Sequence, residues 1–437
     1  MKMSVRVLLS SMMFLEFFIW GAWYVTVGNF MANAGMSDKI AWAYSVIPIA
    51  AIISPFFLGM VADRFFASER VLGVMCILGA VAMAGAGLIG VKAFDLAAAQ
   101  AAAPEGLKWA FIALLMLHAL CFAPTLGLTN TVAFHNVRNA QTDFPLLRVF
   151  GTIGWIVSGG WIISKWLQAD VRPIQFFICA GAGVLLGVLS FLLPHTPPPA
   201  KGKSVTVRDI LGLDALALLK DPAFLVFIVC SFLICIPLAM YYAFAAPYLK
   251  AVGVGDPAYV MSYGQVSEIF FMVVMPIFFR LLGVKWMILV GMGAWILRYG
   301  FFSAVAIVSG AGALPLAEAN GALPPGVFPL LIGAVLLHGI CYDFFFVTGQ
   351  IYTDQKAPIK IRGQAQGFLV LVTQGLGLLI GAQIGGKLFQ MIPAKGAAIT
   401  DWQRFWLLPC LAAAVIAVIF FSTFREKKTS ISEAQKR

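Results

Sequence analysis

Long apolar stretches alternate with short polar ones along the whole chain. Twelve apolar stretches reach the ~20 residues with which an α-helix crosses the hydrocarbon of a bilayer. They lie at about 6–32, 40–62, 70–91, 108–133, 146–167, 173–193, 223–249, 258–281, 285–308, 327–351, 364–389 and 404–424. The longest polar stretch lies between the sixth and the seventh of them. The pattern predicts an all-α integral membrane protein with twelve transmembrane helices in two six-helix bundles.

The predicted boundaries of the two bundles follow from this central polar stretch. Residues 1–193 form the N-terminal bundle, 194–222 a cytoplasmic linker, and 223–437 the C-terminal bundle with a cytoplasmic tail. Two packed bundles of this kind hold a binding site near the membrane midplane, where they face each other.

Composition supports a membrane protein and excludes several other classes. Hydrophobic residues make up 61% of the 437 residues and charged residues 11%, against roughly 45–50% and ~25% in soluble domains. So few charges cannot cover a water-facing surface. The net charge of +11 comes from residues in short loops between the apolar stretches, which is typical of membrane proteins and does not indicate nucleic-acid binding.

Lysine and arginine predict the orientation in the membrane. They are about twice as frequent in the loops on the side of the termini as on the other side, and such residues collect in the cytoplasm. The first apolar stretch is too long for the core of a signal peptide and predicts a spanning helix. We therefore expect a multi-pass protein of the inner (plasma) membrane with both termini in the cytoplasm.

Motifs of soluble enzymes are missing from the sequence. It contains no Walker A loop and no H-E-x-x-H motif. Gly85–Gly90 matches G-x-G-x-x-G by letter, but no strand precedes it, and we interpret these glycines as helix-packing positions. The seven cysteines lie in apolar stretches without metal-type spacing. We predict a protein that is not an enzyme and needs no cofactor or metal.

Charged residues inside the predicted helices are the main candidates for function. Each costs ~2.5–3.5 kcal/mol at mid-membrane on insertion scales, and the five are Glu16, Arg148, Glu268, Arg298 and Asp343. Ion pairing between helices, without any ligand, is the alternative interpretation. Arg148 can also be a cation at the cytoplasmic end of its helix.

Other polar and aromatic side chains share helix faces with these charges. Gln265 and Glu268 are three residues apart and lie on one face. The further candidates close to a charge in the fifth and tenth spans are Thr152, Trp155, His338 and Tyr342. Their spacing puts Thr152 and Trp155 on the same helix face as Arg148, and His338 and Tyr342 lie within a few residues of Asp343.

Short segments spread over nearly the whole chain resemble a known family. Gly59–Arg64 resembles the loop motif of the major facilitator superfamily. Eight further segments are similar to the nucleoside:proton symporter family within it: Pro124–Asn130, Asp143–Gly154, Leu211–Leu218, Gln265–Glu268, Ala294–Arg298, Tyr342–Phe345, Gln364–Gly367 and Thr400–Gln403.

This resemblance implies proton-driven nucleoside uptake by alternating access. It places Arg148, Thr152, Gln265, Glu268 and Asp343 at or near the nucleoside. By the same resemblance, the loop that gates the movement contains Gly59, Asp63 and Arg64. The chain departs from the family at Glu16, Trp155, Ala239–Tyr242 and His338, so the identity of the substrate is open.

The chemistry of the candidates fits a neutral nucleoside with a ribose diol and a flat base. Carboxylates accept hydrogen bonds from ribose hydroxyls, and Gln265 both donates and accepts. Trp155 and Tyr342 can stack on the base. A buried acid carries the proton, and we rank Asp343 first, followed by Glu268, Glu16 and His338.

The expected partners are the nucleoside, protons and the lipid bilayer, for a monomer that binds no nucleic acid. A carrier for another sugar-like solute or a modified nucleoside is the main alternative. An intramembrane enzyme and a channel are more remote interpretations.

Overall fold

The computed structural model describes residues 3–57, 65–137, 140–198, 213–310, 314–316, 322–358, 361–391 and 398–425. Over these residues the regular secondary structure is helical throughout. We number the twelve membrane crossings α1 to α12, and several of them contain more than one helical segment.

The first six crossings precede the central polar stretch. They are α1 (Met3–Tyr24 and Val27–Asn33), α2 (Ile40–Phe57), α3 (Ser68–Ala98), α4 (Glu105–Asn136), α5 (Ala140–Trp155, continued by the π-helix Ile156–Trp166) and α6 (Ile174–Ser190). A short 3-10 helix, Leu213–Lys220, leads into the second half.

The last six crossings follow the central polar stretch. They are α7 (Pro222–Val252), α8 and α9 (257–282 and 284–308 of one continuous assignment), α10 (Val327–Leu336, His338–Cys341, the π-helix Tyr342–Val347 and Thr348–Lys356), α11 (Arg362–Val370, the π-helix Leu371–Gly377 and Leu378–Gln390) and α12 (Ile399–Thr423).

The number of crossings agrees with the sequence pattern. Nine helices in the described part are long and apolar enough to span a membrane by themselves. One of them, Pro257–Val308, reverses at Gly283 and therefore provides two crossings. Ile40–Phe57 and the shorter Ile174–Ser190 complete the twelve. The predicted all-α fold with twelve helices is confirmed.

Local sequence signals start and stop the helices. Asp221 precedes α7, and its Oδ1 accepts a hydrogen bond from the Ala223 amide at 2.9 Å, with Pro222 at the first helical position. Gly253 ends the same helix at φ 113°, a conformation that glycine adopts without steric cost.

The crossings pack into two groups. In the N-terminal bundle (α1–α6), α3 packs on α4 and α6, and α1 packs on α5 and α6. In the C-terminal bundle (α7–α12), α7 packs on α11 and α12, and α8 packs on α10. The boundaries 1–193, 194–222 and 223–437 stay a prediction, since residues 199–212 lie outside the described part.

Glycines occupy the closest contacts between helices. A Cβ at Gly87 would lie 2.9 Å from the Phe177 ring of α6, and one at Gly90 would lie 3.1 Å from Phe30 of α1. The glycines of the G-x-G-x-x-G match therefore pack helices, as expected from their position in a spanning helix. The predicted gating residues Gly59, Asp63 and Arg64 lie outside the described residues.

Large apolar side chains cover the outward-facing surfaces of the crossings. Leu88, Val273 and Val418 are exposed by 66%, 73% and 66%. In water such a surface would be unfavourable, but in a bilayer it contacts lipid chains of similar polarity.

The turn between α8 and α9 depends on Gly283, which has φ 67° and ψ 177°. Residues other than glycine are strained there by ~1–3 kcal/mol. We expect Gly283→Ala to lower the melting temperature of the detergent-solubilised protein by several degrees. Gly293→Ala is the control, because a Cβ at Gly293 meets nothing within 4 Å. Equal melting temperatures for the two variants would contradict this role of Gly283.

Candidate functional site

Close contact between α1 and α5 fixes the first part of the site. A Cβ at Gly154 would overlap the backbone of Phe14, and one at Gly151 would lie 2.7 Å from both Arg148 Nη1 and the Phe17 ring. The guanidinium of Arg148 therefore lies over Phe17, with 3.9 Å between Cζ and the ring centroid. This cation–π contact stabilises the charge of Arg148 within its own bundle.

An interruption of α10 fixes the second part. Ser267 of α8 donates its hydroxyl hydrogen to the Leu336 carbonyl and accepts a hydrogen bond from the Gly339 amide at 3.2 Å. The helix breaks at Leu337 and widens into a π-helix from Tyr342 onwards. This arrangement brings His338 Nε2 to 3.8 Å from Glu268 Oε2. Wide helical turns of this kind are frequent at functional sites.

Arg148 connects the two bundles. Its guanidinium interacts electrostatically with the Glu268 carboxyl and with the Tyr342 hydroxyl, both of the C-terminal bundle. The Glu268 side chain is 16% exposed, and Arg148 is half-buried. Arg148 was predicted to be functional because a charge in the membrane is costly. It lies opposite the predicted acid Glu268, at the boundary between the bundles.

Asp343 lies beside this group, but it is more deeply buried. It is 0% exposed and interacts electrostatically with Glu268. Neither carboxyl oxygen of Asp343 has a hydrogen-bond partner among the described residues. Asp343 therefore does not pair with Arg298, a fully buried cation of the C-terminal bundle.

Arg298 has a different environment inside the C-terminal bundle. Its Nε donates to the Ala334 carbonyl at 3.1 Å, and its Cζ lies 4.1 Å from the centroid of the Tyr241 ring. This side chain is fully buried, and its hydrogen bond to Ala334 ties it to the helix that carries His338.

Aromatic rings from both bundles surround the charged group. Trp155 lies 5.3 Å from Trp20 and 6.4 Å from Tyr24, measured between ring centroids. Tyr24 lies 6.2 Å from Tyr242 of the other bundle. His338 lies 6.0 Å from Tyr342. These rings offer edges and faces at which a flat molecule can stack.

The structure brings most of the predicted residues together and separates one of them. Arg148, Glu268, His338, Tyr342 and Asp343 form a continuous group. Thr152 and Gln265 are half-buried on the same helices, about one turn from Arg148 and from Glu268, and Trp155 lies one turn further along α5.

Glu16 does not belong to this group. It is fully buried in the N-terminal bundle, where the Thr125 hydroxyl lies 2.6 Å from its carboxyl. Sequence reasoning missed Phe17 and Tyr24. Nothing in the sequence distinguishes Phe17 from the many other phenylalanines. Tyr24 could have been recognised, because it follows Trp20 by four residues and shares its helix face.

The two bundles also contact each other at the face of the molecule opposite the termini. Lys165 of α5 forms an ion pair with Asp256 at 2.9 Å, and Trp161 packs on Tyr259 at 5.5 Å. On the other side of the interface, Gln383 of α11 donates to Ser45 of α2 at 2.8 Å. We call these contacts the far-end contacts.

A further hydrogen bond joins the two bundles at this face. Gln390 donates to the Asp38 carbonyl at 3.2 Å, and the Asp38 carboxylate pairs with Lys39 and Lys108. Burial raises the pKa of Asp38, but hydrogen bonds from the two lysines outweigh it and leave the pKa below its usual value. Asp38 therefore stays ionised at neutral pH.

Comparison with known proteins decides the family. The family model for the nucleoside H+ symporter matches residues 1–429. The chain belongs to the nucleoside:H+ symporter family. It is 40% identical to the putative nucleoside transporter YegT of Escherichia coli (strain K12) over 98% of this chain and 96% of that one. It is 30% identical to the xanthosine permease of the same organism, over 97% and 96% of the two chains.

Solved structures of this family and beyond confirm the fold. The crystal structure of the nucleoside transporter NupG superposes with a TM-score of 0.81 at 27% identity, over 97% of this chain and 100% of that chain. The peptide transporter PepTSo, at 15% identity and a TM-score of 0.65 over 96% of this chain and 98% of that chain, shares the fold alone. The symporter is a membrane transporter and not an enzyme, as predicted.

The far-end contacts predict a measurable change in conformational equilibrium. The Lys165 and Asp256 side chains are 48% and 20% exposed, and such pairs contribute ~0–1 kcal/mol. We expect Lys165→Gln to increase the population open at this face by up to ~5-fold. Spin-label distances across the interface measure it, with Lys92→Gln as the control at an exposed lysine on the same face. An unchanged distance distribution in Lys165→Gln would refute the contribution of this pair.

Proposed function

We propose that this symporter imports nucleosides by alternating access, driven by protons entering across the inner membrane, with both termini in the cytoplasm. The observation that carries the proposal is the interaction of Arg148 with Glu268 and Tyr342 across the boundary between the bundles. A ligand bound at that boundary senses the relative position of the bundles, which is the requirement for alternating access.

In this proposal the ribose binds to Glu268 and Gln265. The two side chains share one face of α8 and can therefore contact the same ligand. A carboxylate accepts hydrogen bonds from both hydroxyls of a diol. Arg148 and Thr152 provide donors from the opposite bundle. Because a guanidinium donates through a rigid planar fork, Arg148 also fixes the orientation of the ligand.

The base then lies among the aromatic rings. Trp155 and Tyr24 are close together in the N-terminal bundle, and Tyr342 faces Arg148 from the other side. Stacking accepts any flat heterocycle, so the polar edges of the base must be recognised separately. Tyr242 and His338 are the groups that we assign to this recognition.

A proton supplies the driving force for a neutral substrate. Each charge that moves across the membrane contributes ~2.3 kcal/mol per 100 mV, whereas a neutral nucleoside alone gains nothing from the potential. We assign this proton to Asp343 with Glu268, because the two acids interact. Two adjacent carboxyls share a proton more readily than they carry two negative charges.

The far-end contacts support an assignment of the conformational state. They join the bundles at the face opposite the termini, while Arg148, Thr152 and Gln265 remain half-buried. With cytoplasmic termini, this is a state closed to the outside and accessible from the cytoplasm.

Arg148→Lys tests the role of the planar fork. We expect ~10-fold or greater loss of nucleoside uptake, because a single ammonium cannot replace two parallel donors. Uptake of labelled uridine by proteoliposomes measures it, with Arg280→Lys as the control at an exposed position near the end of α8. If Arg148→Lys takes up nucleoside as fast as the wild type, Arg148 does not bind the substrate and only anchors its helix at the membrane surface.

Asp343→Asn tests the coupling. We expect nucleoside exchange across the membrane to continue while accumulation driven by an imposed proton gradient falls well below that of the wild type. Asp95→Asn, an exposed acid on α3, is the control and should accumulate nucleoside normally. If Asp343→Asn accumulates nucleoside as the wild type does, the coupling site lies elsewhere, and Glu268→Gln, Glu16→Gln and His338→Ala are the next variants.

Competition in the same vesicles identifies the substrate. We expect unlabelled nucleosides to reduce uridine uptake, and free ribose or nucleobases not to do so. Competition by sugars instead of nucleosides would favour a carrier for another hydroxylated solute.

A further inference from the structure

A second buried acid lies in the N-terminal bundle, apart from α8 and α10. The Glu16 carboxyl is fully buried. The Thr125 hydroxyl oxygen lies 2.6 Å from Glu16 Oε1 and 2.6 Å from the Phe122 carbonyl oxygen. Both distances are at the short end for hydrogen bonds between oxygens.

A single hydroxyl hydrogen cannot make both of these contacts. When one hydrogen is shared between two acceptors, the distances lengthen. Thr129 in the same helix shows this, with 3.0 Å and 3.2 Å to the carbonyls of Thr125 and Leu126. Two 2.6 Å contacts at Thr125 therefore require two hydrogens. Thr125 supplies one to the Phe122 carbonyl, and the Glu16 carboxyl supplies the other to Thr125.

The surroundings of Glu16 also favour the protonated form. Among the described residues, the titratable or charged groups of the packed helices that lie near Glu16 are Cys76 of α3, His118 and Cys121 of α4, Arg148 of α5 and Cys179 of α6. Arg148 is directed to Phe17, Glu268 and Tyr342. Glu16 Oε2 has no partner among the described residues. A carboxylate in such a place would be strongly destabilised.

A buried histidine lies nearby. His118 Nδ1 is 2.9 Å from the Gly79 carbonyl, so Nδ1 donates and Nε2 keeps its lone pair. Nε2 has no partner in the described part of the chain. His118, Cys76 and Thr125 border a small cavity whose lining is almost entirely apolar.

We propose that Glu16 is a second proton-binding site of the transport cycle, loaded in this conformation and separate from the acids at the substrate site. This inference rests on the proposed function. For release, the Glu16 carboxyl gives its proton to water in a conformation of the cycle that hydrates it, which leaves a carboxylate.

Glu16→Gln tests whether the proton on Glu16 is transported or stays bound throughout the cycle. The glutamine amide donates to Thr125 as the protonated acid does, but it cannot titrate. In proteoliposomes, the membrane potential at which net nucleoside flux stops gives the number of protons per nucleoside. We expect Glu16→Gln to transport with one proton fewer than the wild type, and Asp95→Asn to match the wild type. An unchanged ratio in Glu16→Gln would overturn the proposal.

Infrared spectroscopy tests the bound proton without any transport. At neutral pH the wild type should show the carbonyl band of a protonated carboxylic acid that disappears in Glu16→Gln. If that variant does not fold, Thr125→Val should shift the band, and Thr125→Ser should leave it in place. Absence of a band that responds to these changes would also overturn the proposal. A wild type that shows the band but carries no nucleoside would contradict the proposed function instead.

Discussion

The free-energy cost of a charge in the hydrocarbon constrains this molecule more than any other interaction. At ~2.5–3.5 kcal/mol for each charged side chain, no buried ion can remain without compensation. Arg298 is stabilised within its own bundle by Tyr241 and a backbone carbonyl. Arg148 has Phe17 in its own bundle and finds its acid in the other. This pairing across a movable boundary makes the interface polar at its centre.

Small residues allow these charges to reach their partners. Between α1 and α5, glycines leave no room for even a methyl group, so the helix axes approach closely and Arg148 is held against Phe17. Between α8 and α10, Ser267 and Gly339 have the same effect and add backbone hydrogen bonds. In a bilayer, where apolar surfaces gain little by association, packing of this kind supplies much of the stability.

The sequence predicted the crossings and the composition of the site better than the pairing within it. Charges in apolar helices are few and costly, so Arg148, Glu268 and Asp343 could be recognised individually. The sequence could not predict that Glu16 lies apart from them, or that Lys165 meets Asp256. Helices that are apolar on all sides carry little periodic signal about their rotation. Contacts between distant helices depend on that rotation.

Three of the crossings that line the boundary, α5, α10 and α11, contain a π-helical segment. A π-helix holds one more residue in its turn than an α-helix, where each residue advances by about 100°. In α10 the wide turn begins at Tyr342 and includes Asp343. Two consecutive residues of one turn therefore place a phenol near Arg148 and a carboxyl near Glu268.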